Sequence, residues 1–99
     1  MNEKELEQHL TDKGLNAPRI TPAHIDKQIT NAQYYVFPGT TLTMCCLHLI
    51  NGFTVTGESA CASPENFDEA VGRDLAFKQA RGKIWALEGY LLRSKLAQQ

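Results

Sequence analysis

In this 99-residue chain the side chains best suited to holding a charged ligand are Glu58, Asn66, Arg73, Arg81, Lys83 and Trp85. Arg73 falls where a core residue is expected in a long helical pattern. Phasing that pattern at about 100° per residue puts Glu69 and Asn66 on the same side of the helix. A guanidinium, an amide and the free N–H groups of a helix starting near Ser63 suit a phosphate. The competing reading is a structural ion pair, from Arg73 to Glu69 within the helix or to Glu58 at the sheet edge. Asp68 and Glu69 already complement the positive end of the helix dipole. Glu58, in the hairpin sequence LINGFTVTGESAC (49–61), is read as a partner for a cation rather than as a catalyst. Lys78, Arg81 and Lys83 interleave with Trp85, and cations beside an indole suit a nucleotide base and its phosphate. Long cationic side chains on a helix also form ordinary solvated faces.

Other chemistries find less support. His9, His24 and His48 are scattered and have no nucleophile beside them in the sequence. Ser59 follows Gly57-Glu58 and precedes Ala60-Cys61, which is not the G-x-S-x-G elbow of a hydrolase. Cys45 and Cys46 are adjacent in a strand pattern and so point to opposite faces. Cys46 and His48 share a face, but no CxxC or HxxxH spacing supplies further ligands. The three cysteines read as small apolar strand residues in a reducing compartment. The expectation is no catalytic residue, no metal and no cofactor.

Composition sets the bounds within which these residues act. The length suits one domain with a thin core, for which self-association is a natural supplement. Ten Lys plus Arg against eleven Asp plus Glu leave a net charge of −1, which gives no field for general nucleic-acid binding. No apolar run approaches the roughly 18 residues of a membrane span, and the polar start MNEKELEQHL is unlike a signal peptide. The chain reads as cytoplasmic.

The elements that must position the candidate residues follow from periodicity and punctuation. Leu6 and Leu10 define a short helix over 3–13, and Pro18 makes LNAPRI a linker, so residues 1–17 are separated from a domain over 18–99. Thr21-Pro22 starts a second helix ending near Asn31. Residues 33–60 form a three-stranded antiparallel meander, turning at Pro38-Gly39 and at Asn51-Gly52. A two-residue turn at Asn51-Gly52 sets Ile50 opposite Phe53, His48 opposite Val55, Cys46 opposite Gly57 and Met44 opposite Ser59. That face is the expected buried one. Ser63-Pro64 opens a helix of about 30 residues. Its seam is Phe77, Ala80, Ile84, Leu87 and Leu91, and a second stripe runs through Phe67, Val71, Leu75, Trp85, Leu92 and Leu96. Gly72, Gly82 and Gly89 suggest close helix packing. The fold class is α+β: two short N-terminal helices, the meander, and the long C-terminal helix packed on it.

Four segments in order, FPGTTLTMCCL (37–47), NGFTVTGESAC (51–61), SPENFDE (63–69) and KIWALEGYLL (83–92), resemble a family of small tailed-phage and prophage proteins. That family is catalogued after phage gene products forty-nine and sixty-six. The lead-in APRITPAHID (17–26) fits its prophage members. The resemblance implies a phage or prophage origin and action in the host bacterial cytoplasm, and it carries over no catalytic residue. Small phage proteins without catalytic signatures commonly act by binding, an analogy rather than a motif. The expectation is therefore a homo-oligomeric protein that sequesters a small nucleotide-type signal of host defence. The alternative is direct inhibition of a host protein through an apolar helix face.

Overall fold

The structure, a computed structural model, describes residues 1–15 and 17–99. Asn16, in the expected linker, lies outside the described residues. Helix α1 spans Glu3–Asp12, with the Asn2 side chain accepting the Glu5 N–H at 2.7 Å. Helix α2 spans Pro22–Gln28, with the Thr21 hydroxyl accepting the His24 N–H at 3.2 Å. Strands β1 (Ile29–Val36), β2 (Leu42–Leu49) and β3 (Thr54–Ala60) form an antiparallel sheet in the order β1-β2-β3. A 3-10 turn at Pro64–Asn66 leads to helix α3, Glu69–Ala97, which packs on one face of the sheet. The expected α+β architecture is the one observed.

The core lies between that face and α3. It comprises Ile25, Cys45, Leu47, Leu49, Val55, Ala76, Ala80 and Ile84, with Thr43 buried among them. One sheet covered by one helix makes a thin molecule, 52 × 31 × 18 Å, and the radius of gyration of 16.5 Å exceeds the roughly 13 Å of a compact chain this long.

Several expectations are corrected. The β2–β3 hairpin is one residue out of the expected register: His48 pairs with Thr54, Cys46 with Thr56 and Met44 with Glu58. Its loop is three residues, Ile50-Asn51-Gly52, closed by Gly52 N–H to Leu49 O and Leu49 N–H to Phe53 O, both 2.9 Å. Gly52 takes φ +88°, the left-handed position that ends such a loop. The slip turns β2 over, so Cys45, Leu47 and Leu49 face the core in place of Met44, Cys46 and His48. Helix α2 ends at Gln28, short of Asn31, because β-branched Ile29 and Thr30 already belong to β1.

Helix α3 begins at Glu69 rather than beside Ser63. Asp68 is its cap, accepting the Val71 N–H at 3.1 Å, and Ser63 instead donates to Glu65 at 2.7 Å. The buried stripe of α3 is Gly72, Ala76, Ala80 and Ile84, spaced four apart, while Leu87 and Leu91 of the expected seam are exposed.

The close approach that the helical glycines suggested is between helix and strand, and its main partner is Gly57. A Cβ on Gly57 would stand 2.3 Å from the Ala76 carbonyl oxygen and 2.4 Å from the Ala80 nitrogen. Both are helix backbone, which has no freedom to move aside. Gly72 is the second tight position, where a Cβ would meet the Thr43 hydroxyl at 2.7 Å, while Gly82 and Gly89 face open space. Gly57→Ala should destabilise the fold by about 3 kcal/mol or more, since the whole helix must lift. Gly89→Ala should stabilise it by about 0.5–1 kcal/mol through helix propensity. Urea denaturation of the two variants measures both, and equal effects would contradict this packing.

Candidate functional site

The low seat of α3 on β3 fixes where each polar side chain emerges. With the 72-76-80-84 stripe against the sheet, residues 79 and 83 overhang the outer edge of β3, while 77, 81 and 85 lean toward α2 and β1. Gln79 uses this position to accept the Glu58 backbone N–H at 2.6 Å. That bond occupies an edge-strand donor that would otherwise be open to another chain. Around it lies a cleft of about 430 Å³ lined by Met44, Thr56 and Glu58 from the sheet and by Gln79, Gly82 and Lys83 from the helix. Glu58 and Lys83, two of the six residues singled out in the sequence, therefore line one recess. It offers a carboxylate, an ammonium, an amide and a hydroxyl.

The other four lie elsewhere. Arg81 points to the α2 flank, where its Nε donates to Asp26 at 2.9 Å and a terminal nitrogen donates to Glu3 at 2.7 Å. These two carboxylates hold its guanidinium more firmly protonated than an ordinary arginine, with Glu3 the larger influence. Trp85, on the same flank, is half-buried against the core. Asn66 sits in the 3-10 turn and lines a cavity of about 160 Å³ with Asp68, Cys61 and Leu75. Arg73 is exposed and is not among the residues lining it. Arg73, Asn66 and a helix N-terminus thus form no common anion site, because the helix starts five residues later than Ser63-Pro64 suggested and Asp68 caps it. Nor does Arg73 pair with Glu58 or Glu69 among the described residues. The basic group divides too: Lys78 pairs with Asp74 at 2.8 Å on the solvent face, between the Arg81 and Lys83 flanks.

A second recess was not expected. α3 runs on past the sheet: 29 residues extend about 43 Å, against about 26 Å for an eight-residue strand. Its overhanging half and the β2–β3 loop form a groove of about 380 Å³ lined by Ile50, Phe53, Leu87, Tyr90 and Leu91. Tyr90 is 77% and Ile50 62% exposed. The His24 ring stands 3.4 Å from Glu88, another lining residue. The length mismatch was the signal available in the sequence. The expected pairing of Ile50 with Phe53 concealed it by placing both on the covered face.

The sheet face away from α3 carries His48, whose Nε2 lies 2.6 Å from the Gln33 amide oxygen. Among the described residues no group of three or more His, Cys, Asp or Glu is placed to hold a metal, and no helix is long and apolar enough to cross a membrane.

The family model of the Phage protein (N4 Gp49/phage Sf6 gene 66) family matches residues 20–96. The chain is a member of that phage protein family, and the match takes in the sheet, α2 and nearly all of α3. No curated protein and no solved structure matches it.

Cys45 is inert by placement. Burial pushes its thiol above the ordinary range, and burial with the neighbouring Cys45 raises the Tyr34 phenol as well. The unfolded chain releases the Cys45 proton at lower pH than the folded one. Stability from this source is therefore complete below the ordinary thiol value of 9.0 and is lost as pH rises through the raised folded value. Thermal denaturation should show stability falling above about pH 9 and a shallower fall in Cys45→Ala. Parallel slopes in the two proteins would count against this assignment.

Proposed function

We propose that this phage-family protein is a non-catalytic binding protein that acts in the host cytoplasm and sequesters a small nucleotide-type signal of host defence. The observation that carries the reading is the shared cleft of Glu58 and Lys83. An ammonium there can take a phosphate oxygen, while Gln79 and Thr56 offer hydrogen bonds to a sugar or base. The cleft opens at a sheet edge, so a second copy of the chain set against it would enclose the ligand, in keeping with a homo-oligomer. Such binding requires no cofactor, and the net charge of −1 disfavours general nucleic-acid binding.

A second reading rests on the groove of Ile50, Phe53, Leu87, Tyr90 and Leu91. Large exposed apolar side chains in one recess suit a helix or loop of a host protein. In that reading the protein inhibits its target directly.

Melting in phosphate-free buffer with cyclic di- and trinucleotides and ADP-ribose derivatives tests the first reading. A bound compound at about 100 times its Kd adds roughly 2.7 kcal/mol, an upward shift of about 10 °C or more in a domain this size. Lys83→Ala should weaken that ligand by about tenfold, the scale of one charge-assisted hydrogen bond, while leaving the ligand-free melting temperature almost unchanged. If no compound shifts the melting curve, the groove reading takes its place. The chain should then retain a host protein that Tyr90→Asp fails to retain.

A further inference from the structure

Helix α1 is tied to the domain by charge rather than by burial. None of its residues is buried, and Leu6 is 45% exposed. Among the described residues its ion pairs run from Glu7 to Arg19 at 2.6 Å and from Glu3 to Arg81 at 2.7 Å. Arg19 belongs to the segment joining α1 to α2, so the Glu3 carboxylate is the tie that reaches α3. The family match begins at residue 20, which places α1 outside the shared domain. A helix of ten residues is also shorter than the about 12–15 at which isolated helices become even marginally stable in water. Its order therefore depends on what holds it.

Arg81 is the other half of this tie. Its side chain is 16% exposed, with Nε on Asp26 and one terminal nitrogen within 3.5 Å of the Pro22 carbonyl oxygen. Both partners belong to α2, within the family domain. Glu3 is a second carboxylate on a guanidinium that Asp26 already neutralises, and it takes the remaining terminal nitrogen. Glu3 is half-exposed, so its hold on Arg81 is screened by salt.

We infer that α1 is a releasable strap. In the closed state Glu3 occupies one donor edge of Arg81. In the open state α1 unfolds into solvent and that edge accepts a phosphate oxygen from outside, with Asp26 still holding the guanidinium in place. The inference stands apart from the Glu58–Lys83 cleft, on the opposite flank of α3, and neither depends on the other.

Hydrogen exchange on the full chain, as wild type and Glu3→Gln, at low salt and in about 0.5 M sodium chloride, tests the strap. In wild type α1 should exchange about two- to fivefold faster in high salt, and Glu3→Gln should show that faster rate already at low salt, while α3 and the sheet stay unchanged. Pyrophosphate titrated at low salt should shift the Arg81 Nε–H resonance with about two- to fivefold higher affinity in Glu3→Gln. Equal α1 exchange in the two proteins at low salt, or an Arg81 resonance that pyrophosphate does not move in either, would overturn the inference.

Discussion

The contact on which the rest of the structure depends is the one between Gly57 of β3 and the α3 backbone at Ala76 and Ala80. The Gly57 backbone lies directly on the α3 backbone there, and the helix stripe of Gly72, Ala76 and Ala80 is made of the two smallest residue types. A larger residue on either side would raise α3 and change its rotation. Because the helix lies low and toward β3, Gln79 reaches the Glu58 N–H, Lys83 faces the outer edge, and Arg81 is turned to α2. It also leaves β1 less covered, with Tyr34 and Tyr35 exposed. The placement of every candidate residue on α3 follows from this one approach.

The layer arrangement has a second consequence. Helix α3, with Ile25 of α2 beside it, covers one face of a three-stranded sheet and then continues beyond it. The uncovered sheet face carries polar side chains such as Gln33, His48 and Thr54, as a solvated antiparallel sheet should. The overrunning half of α3 is different, because Leu87, Tyr90 and Leu91 line a groove with the loop residues Ile50 and Phe53, and all five are exposed among the described residues. An apolar recess of this size is unusual on the surface of a small protein. The two recesses thus differ in chemistry: the one at the sheet edge is lined by Glu58, Gln79 and Lys83, and the other by Ile50, Phe53, Leu87, Tyr90 and Leu91.

Charge is distributed rather than concentrated. Lys78, Arg81 and Lys83 leave the helix in different directions, and Arg81 and Lys78 are matched by carboxylates. Arg81 is the hub of the α2 flank, joining α1 and α2 to α3 through Glu3 and Asp26. Its exposure is low because it is covered by its partners. Membership of the phage family covers the sheet, α2 and α3, so Arg81 and Asp26 belong to the shared domain, whereas Glu3 does not.

The sequence by itself determined the kinds of element and their order, the start of α2 at the Thr21 cap with Pro22 as its first residue, and the family, because these rest on local preferences and on motifs read along the chain. It also singled out Glu58 and Lys83, which the fold brings to one cleft. Register and helix start were left to the tertiary structure. Asn51-Gly52 satisfies both a two-residue turn and a three-residue loop ending in a left-handed glycine, and the two differ by one residue of pairing. Burying Leu47 and Leu49 rather than Cys46 and His48 decides between them, and that gain exists only once α3 is in place. Ser63 and Asp68 are likewise both acceptable caps, and the helix begins at the second. The grouping of Arg73 with Asn66 failed for that reason, since an error of five residues in a helix start moves the dipole end away from the side chains assigned to it. Local chemistry offered two answers at each of these points, and for the strand register the burial of Leu47 and Leu49 beneath α3 chose between them.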